Sequence, residues 1–307
     1  MSAGRVARAP VVVLGATGQV GRGLLAALGP RGLGLSRAEA DLTDVGRVIT
    51  TLDRIGPGAV INAAAYTEVD RAEREEGLAS QINGVAPGVV ARFCAERAIP
   101  MVHFSTDYVF PGTGHEPWRE DDPTAPLGAY GRGKLIGEQS IAAVGGQWLI
   151  FRTSWVYDAN GSNFVTTMLG LGRDRAAIDV VSDQWGAPTY APSLAGAVVR
   201  ALDQARGARA FPSGIYHLCG AGACSWHEFA EEIFAQARRR GVDLRVNELV
   251  PVAAGAFGAL APRPHNSRLS TTRAAAVFGL TLPAWTDGLA ECLDVMFGSP
   301  EHESFSS

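Results

Sequence analysis

Two side chains four residues apart carry the first chemical suggestion in this sequence. Tyr130 and Lys134 form YxxxK within AYGRGKLIGE, and at i and i+4 of a helix they project from one face. A free phenol ionises near pH ~10, so at neutral pH it donates a proton only sluggishly. A neighbouring ammonium favours the phenolate and draws the phenol toward the working pH. The pair suits proton delivery to a carbonyl oxygen, and the same ammonium can hold a nicotinamide ribose. Upstream, Ser105-Thr106-Asp107 ends a hydroxyl-rich apolar run, and the Thr106 hydroxyl would polarise the carbonyl under attack. Gly131 and Gly133 each weaken a helix interior by ~1 kcal/mol relative to Ala. Close backbone packing or a helix start is therefore expected between the two reactive side chains. Taken alone YxxxK is a frequent coincidence, and its meaning depends on a second motif.

That motif is Gly15-Ala16-Thr17-Gly18-Gln19-Val20-Gly21, a GxxGxxG about 110 residues upstream. It follows the apolar run Val11–Leu14 and opens an amphipathic stretch. Glycines there let the chain turn tightly, let it approach a pyrophosphate and let a helix pack on the strand. The free N–H groups and dipole of the next helix favour the anion. Gly15, Thr17, Gly18, Gln19, Val20 and Gly21 are thus candidate cofactor residues, with a purely structural turn as the alternative. An NAD site usually has an acid at the end of the second strand. Here Ser36-Arg37 stands there, and a hydroxyl with a planar guanidinium suits a 2′-phosphate. NADPH is the expected cofactor, with NADH left open. Asp41, beside Leu42, either contacts the adenine or braces the loop.

The elements that would position these groups alternate. Strands are expected at Val11–Leu14, Gly32–Leu35, Ala59–Ile61, Met101–Phe104 and Trp148–Phe151, with another at Ile215–Leu218. Helices are expected over Gly18–Leu28, Thr43–Ile55, Asp70–Arg97 and Tyr130–Val144. Alternation of this kind predicts right-handed crossovers and an α/β fold: a Rossmann-type, doubly wound parallel sheet with a smaller C-terminal substrate-binding lobe. The expected division is a dinucleotide-binding domain over 1–160 with 188–220, and a substrate-binding lobe over 161–187 with 221–307.

Composition bounds the rest. At 307 residues and 47% hydrophobic, the chain can bury a large core without disulfides or metal. A net charge of −4 argues against a nucleic-acid partner. The cysteines, Cys94, Cys219, Cys224 and Cys292, have no zinc spacing and read as isolated buried thiols. No apolar run reaches the ~20 residues of a membrane span. Residues 1–10 read as a loose tail, and a cytoplasmic location is expected. His103, Trp185 and Trp226 read as packed core residues.

These motifs together resemble the extended short-chain dehydrogenases/reductases, and more narrowly the dTDP-4-dehydrorhamnose reductase family. GATGQVG, VINAAAYTEVDRAE, STDYVFPG, AYGRGKLIGE, FRTSWVY, NFVTTML, SDQWGAPTY, YHLCG and RPHNSRL carry the similarity across residues 15–269. The resemblance implies reduction of the C4 ketone of dTDP-4-dehydro-L-rhamnose to dTDP-L-rhamnose by NAD(P)H. It makes Tyr130 the proton donor, Lys134 its electrostatic partner, Thr106 the superfamily hydroxyl and Asp107 a residue tuning substrate contact. It places Trp155 against the sugar nucleotide and Ala63-Ala64-Ala65 along the cofactor. Arg263, Asn266 and Arg268 are candidate donors to the dTDP-sugar, with capping of the lobe as the alternative. The chain departs from some relatives at Ser36-Arg37. Some relatives bind magnesium at a dimer contact; no equivalent acidic cluster is found here, no metal is expected, and a homodimer is left open. Two other readings keep the fold: reduction of a different 4-keto-6-deoxy sugar nucleotide, including a dihydrostreptose-type ring contraction, and a non-catalytic NADP-binding subunit of methionine adenosyltransferase.

Overall fold

Val11–Leu14 is β-branched and apolar, and all four residues are buried, as befits a strand covered on both faces. This strand, β1, sits inside a six-stranded parallel sheet with β2 (Gly32–Leu35), β3 (Ala59–Asn62), β4 (Met101–Thr106), β5 (Trp148–Thr153) and the strand Gly214–His217. From one edge the order is Gly214–His217, β5, β4, β3, β1, β2. Chain order therefore reverses between β1 and β3, which opens a crevice at their C-terminal ends. The structure, a computed structural model, describes residues 9–299. Most of the expected N-terminal tail lies outside the described residues.

Helix α1 (Gln19–Leu28) follows β1, and α2 (Val45–Ile55) starts where the Asp44 side chain accepts from the Arg47 amide. The expected long helix over Asp70–Arg97 is instead broken. It comprises α3 (Val69–Ala72), α4 (Glu76–Ser80), a π-helical turn over Gln81–Val85 and α5 (Ala86–Glu96). Pro87 supplies a physical reason: its ring clashes with a carbonyl four residues back in a regular helix. The chain widens there, and the Ala86 amide reaches the Gln81 carbonyl. The Asn83 carbonyl is then the surface on which α6 (Ala129–Val144) rests, because a Cβ at Gly137 would lie 2.2 Å from it.

Apolar residues of β1, β3, β4 and β5 pack on one side against α1 and the helix Ala191–Gly207, and on the other against α2 and α5. A separate apolar cluster gathers Val165, Met168, Ile178, Phe229, Phe234, Leu289 and their neighbours. Beside it, Ala177–Val181 and Glu248–Val252 form a parallel pair. Phe278, Leu280 and Leu282 return to the main sheet's core.

Seating of α6 gives a stability prediction. Gly137→Ala forces a methyl against backbone and should lower stability by about 1–3 kcal/mol. Gly77→Ala, in α4 with nothing within 4 Å of the added Cβ, should be neutral or mildly stabilising. Urea unfolding of both variants separates the two effects.

Candidate active site

The crevice at the strand ends is a cavity of about 820 Å³. The turn after β1 forms its floor. Gly15 has φ +77°, and a Cβ there would lie 2.7 Å from Ala64. A Cβ at Gly21 would lie 2.1 Å from the Gly15 carbonyl, so α1 packs directly on the turn. Gly18 caps α1 without any side-chain bond, leaving the first amides of the helix for an anion. Thr17, Gly18, Gln19 and Val20 line the cavity, with Ala63, Ala64 and Ala65 opposite. This is a cradle that side chains would fill, and its donors suit a dinucleotide pyrophosphate.

The loop after β2 divides the labour expected of it. Ser36 is not offered to a ligand: its amide and hydroxyl both donate to Glu39 at 2.8 Å. Arg37 lines the cavity with its side chain 77% exposed, and only its Nε is bonded, to Asp41 at 3.1 Å. Asp41 accepts from the Thr43 amide and from Arg37, contacts that hold its carboxyl below the usual range. The bracing role anticipated for Asp41 is thus visible, while Leu42 contributes a buried apolar wall.

The reactive groups meet across β4 and α6. Thr106, Asp107, Tyr130 and Lys134 all border the cavity. Gly131 lets α6 start against the Tyr108 carbonyl, 2.3 Å from an added Cβ. The Lys134 ammonium donates to the Phe104 carbonyl at 2.7 Å. The Thr106 hydroxyl donates to Asp107 Oδ1 at 3.0 Å and accepts from the Tyr108 amide. Tyr108 meets Tyr130 edge to face at 5.7 Å.

Electrostatics here run partly against the sequence expectation. Tyr130 is pushed up to about 12, first by burial and then by the Asp107 charge, with the Thr106 hydroxyl opposing. The expected lowering by Lys134 is not seen, since desolvation dominates and the ammonium is aimed at Phe104. Lys134 is itself lowered to about 8 by burial, partly opposed by the Glu138 charge. Asp107 is raised to about 7 by burial, partly opposed by the hydrogen bond from the Thr106 hydroxyl, and its Oδ2 has no partner. At neutral pH the site therefore holds a neutral phenol and an ammonium.

Trp155 borders the cavity in a left-handed conformation, φ 47°, strained for so bulky a residue. Its indole stacks on Trp226 at 3.5 Å. Trp226 packs against the Phe229 cluster, as its type suggests, and also forms part of the wall of this cavity and of a second, also about 820 Å³. Arg263 lines that second cavity and pairs with Asp70 at 2.7 Å. Asn266 and Arg268 are not brought to either cavity. Asn266 is buried, its amide donating to the Glu116 and Thr113 carbonyls, and Arg268 lies over the Trp185 ring. His103 is buried as expected.

Sequence reading missed Arg22, which lines the cavity, donates to the Thr17 carbonyl and pairs with Asp158 at 2.8 Å. It also missed Tyr66, Ser105, Tyr108, Thr153 and Ser162 in the lining. One compositional signal was available: Lys134 is the only lysine among 307 residues, every other basic side chain of that class being arginine.

The family model described as "RmlD substrate binding domain" matches residues 9–297. The chain is 43% identical over 290 residues to a dTDP-4-dehydrorhamnose reductase of Burkholderia thailandensis, covering 92% of this chain and 97% of that protein. It is 40% identical over 293 residues to the enzyme of that name from Escherichia coli K12, covering 94% and 98%. The crystal structure of a Bacillus anthracis dTDP-4-dehydrorhamnose reductase in complex with NADP superposes with TM-score 0.86 at 36% identity, covering 93% of this chain and 99% of that one.

Asp107 makes stability depend on pH. Its folded value, about 7, lies above the ordinary 3.8, so the folded state binds a proton that the unfolded chain has released. The carboxylate therefore destabilises the folded protein increasingly as pH rises from 4 through 7. Asp107→Asn should exceed the parent in urea stability at pH 8 by up to about 4 kcal/mol, the gap closing near pH 4. A pH-independent difference would contradict this.

Proposed function

The chain belongs to the RmlD substrate binding domain family, and from that premise we propose that it reduces the C4 ketone of dTDP-4-dehydro-L-rhamnose to dTDP-L-rhamnose. The observation that carries the reading is the convergence of Tyr130, Lys134 and Thr106 on a cavity floored by a glycine cradle. NADPH, when bound, supplies the hydride. Gly15, Gly18 and the first amides of α1 would hold its pyrophosphate, and the largely free fork of Arg37 would take a 2′-phosphate. Ala63 to Ala65 would form the opposite wall.

The chain's own groups manage the proton. The Tyr130 phenol, kept protonated by burial, gives its proton to the C4 oxygen as the C–H bond forms. Thr106 offers a hydroxyl to the same oxygen. Lys134 would then stabilise the phenolate and hold the nicotinamide ribose of the bound cofactor. Trp155 would bear on the sugar. The stacked Trp226 leads into the second cavity, where Arg263 and Arg175 suit a nucleoside diphosphate.

Membership of the cofactor body is proposed for 1–160 with 188–220, and of the substrate lobe for 161–187 with 221–307; the separate apolar cluster around Phe229 supports the division, although Tyr157, Ala159 and Tyr190 belong to that cluster and Ala274, Phe278, Leu280 and Leu282 pack on the main sheet. Cytoplasmic location belongs to the same proposal. The four cysteines are free and buried, which accords with a reducing compartment, and no helix of the described residues is long and apolar enough to cross a membrane. A homodimer would cover Val85, Val89 and Ile136, exposed apolar residues of one flank.

Absorbance at the nicotinamide band, with dTDP-4-dehydro-L-rhamnose and either cofactor, tests the reading. Oxidation of NADPH and formation of dTDP-L-rhamnose by NMR are expected. Tyr130→Phe should lower kcat at least ~100-fold while NADPH still binds. No cofactor oxidation by the parent enzyme, or undiminished turnover in the variant, would sink it.

A further inference from the structure

The sheet face beneath α6 is apolar toward the N-terminal ends of its strands, where Met101 and Ile150 pack with Ile141. Toward the C-terminal ends it turns polar. Asn62, His103, Ser105 and Arg152 follow one another across β3, β4 and β5 on that face, in line with strand alternation. From above, Lys134 and Glu138 stand one turn apart on α6 and are 3% and 2% exposed. Arg152 forks onto Glu138, its Nε donating to Oε1 at 2.8 Å and its Nη2 to Oε2 at 2.6 Å. Arg152 also lies over the Phe110 ring, and its chain neighbours Thr153, Ser154 and Trp155 line the cavity.

A buried pair of this kind is seldom kept for stability, since apolar residues of similar volume often do as well or better. Its place one turn from Lys134 suggests another reason. A buried ammonium needs a negative charge nearby to remain protonated, but a free carboxylate at i+4 would take it into a direct ion pair. Both Glu138 oxygens are already occupied by the Arg152 fork. Lys134 is thus left to donate to the Phe104 carbonyl at the cavity edge.

We propose that Glu138 and Arg152 are positioning residues for Lys134, Glu138 sustaining its charge and Arg152 holding the carboxylate away from it. The proposal rests on the role given to Lys134 in the reduction. The lowering of Lys134 by burial, opposed by Glu138, agrees with it. Other groups around α6 do not replace Glu138. Tyr130 and Cys94 are held neutral by burial, His103 is kept from protonating by burial and by Lys134, and Asn83 is uncharged. Asp107 accepts from the Thr106 hydroxyl rather than from Lys134. Glu73 and Glu76 are engaged with the Ala129 amide and Arg132 at the start of α6.

Because Lys134 is the only lysine, the test can be read on one signal. Incorporation of ¹³C,¹⁵N-lysine yields a single side-chain Cε resonance, whose pH titration needs neither substrate nor turnover. Glu138→Gln leaves Arg152 unpaired and should move the midpoint down by about one pH unit or more. Arg152→Met frees the carboxylate for Lys134 and should move it up. The double variant should fall between the two, and the alkaline limb of kcat/KM should follow each midpoint. If a single variant does not fold, Glu138→Asp, which keeps both charges but withdraws the carboxylate, should still lower the midpoint. Unmoved midpoints, or shifts of one sign in both single variants, would leave a purely structural pair and overturn the proposal. Failure of the substrate assay alone would overturn the reductase reading and leave this titration standing.

Discussion

The depth at which α6 sits on the sheet governs the rest of the site. Gly131, Gly133 and Gly137 bring its backbone against the Tyr108 carbonyl, against Asn83 and Ala79, and against the Asn83 carbonyl. A methyl at the first or last of these would meet backbone at 2.3 or 2.2 Å. Any outward shift of the helix would carry Tyr130 away from Thr106 and Lys134 away from the Phe104 carbonyl. The π-helical turn before Pro87 belongs to the same contact, because it presents the carbonyl on which α6 rests. A fold that uses helix packing to aim a phenol has little tolerance at these glycines.

Close seating also desolvates everything beneath the helix. Tyr130, Lys134 and Asp107 all move toward their neutral forms for that reason. For the phenol this keeps a proton ready for donation. For the lysine it works against the required charge, and the Glu138–Arg152 pair offsets it. Asp107 carries a penalty that builds up between pH 4 and 7 and is constant above that. One physical cause, removal of water, thus has three consequences, distinguished by what each side chain finds nearby.

Much of this was legible beforehand. Val11–Leu14, Ala59–Ile61 and Met101–Phe104 read as buried strands because β-branched and apolar runs bounded by glycine have few other uses. GxxGxxG and YxxxK marked two walls of one cavity because each relies on local spacing. Less legible was the break in the Asp70–Arg97 segment, where Pro87 competes with an otherwise helical composition. Trp226 read as core because nothing local distinguishes a packed indole from one that also stacks on Trp155 at a cavity wall. Ser36 and Asn266 looked like donors, but Glu39 and the carbonyls of the 113–116 loop had prior claim on their hydrogen bonds.

By itself the sequence determined the strand-helix alternation, the phosphate turn and the identity of the reactive pair, since each is written in residues close together along the chain. Tertiary structure alone decided which polar side chains remain free for a ligand and which are consumed by the fold. It also decided the direction in which Tyr130 and Lys134 are shifted. Both depend on desolvation and on partners brought in by the fold, such as Arg152 against Glu138, 14 residues apart, or Asp70 against Arg263, 193 apart. No local pattern encodes them.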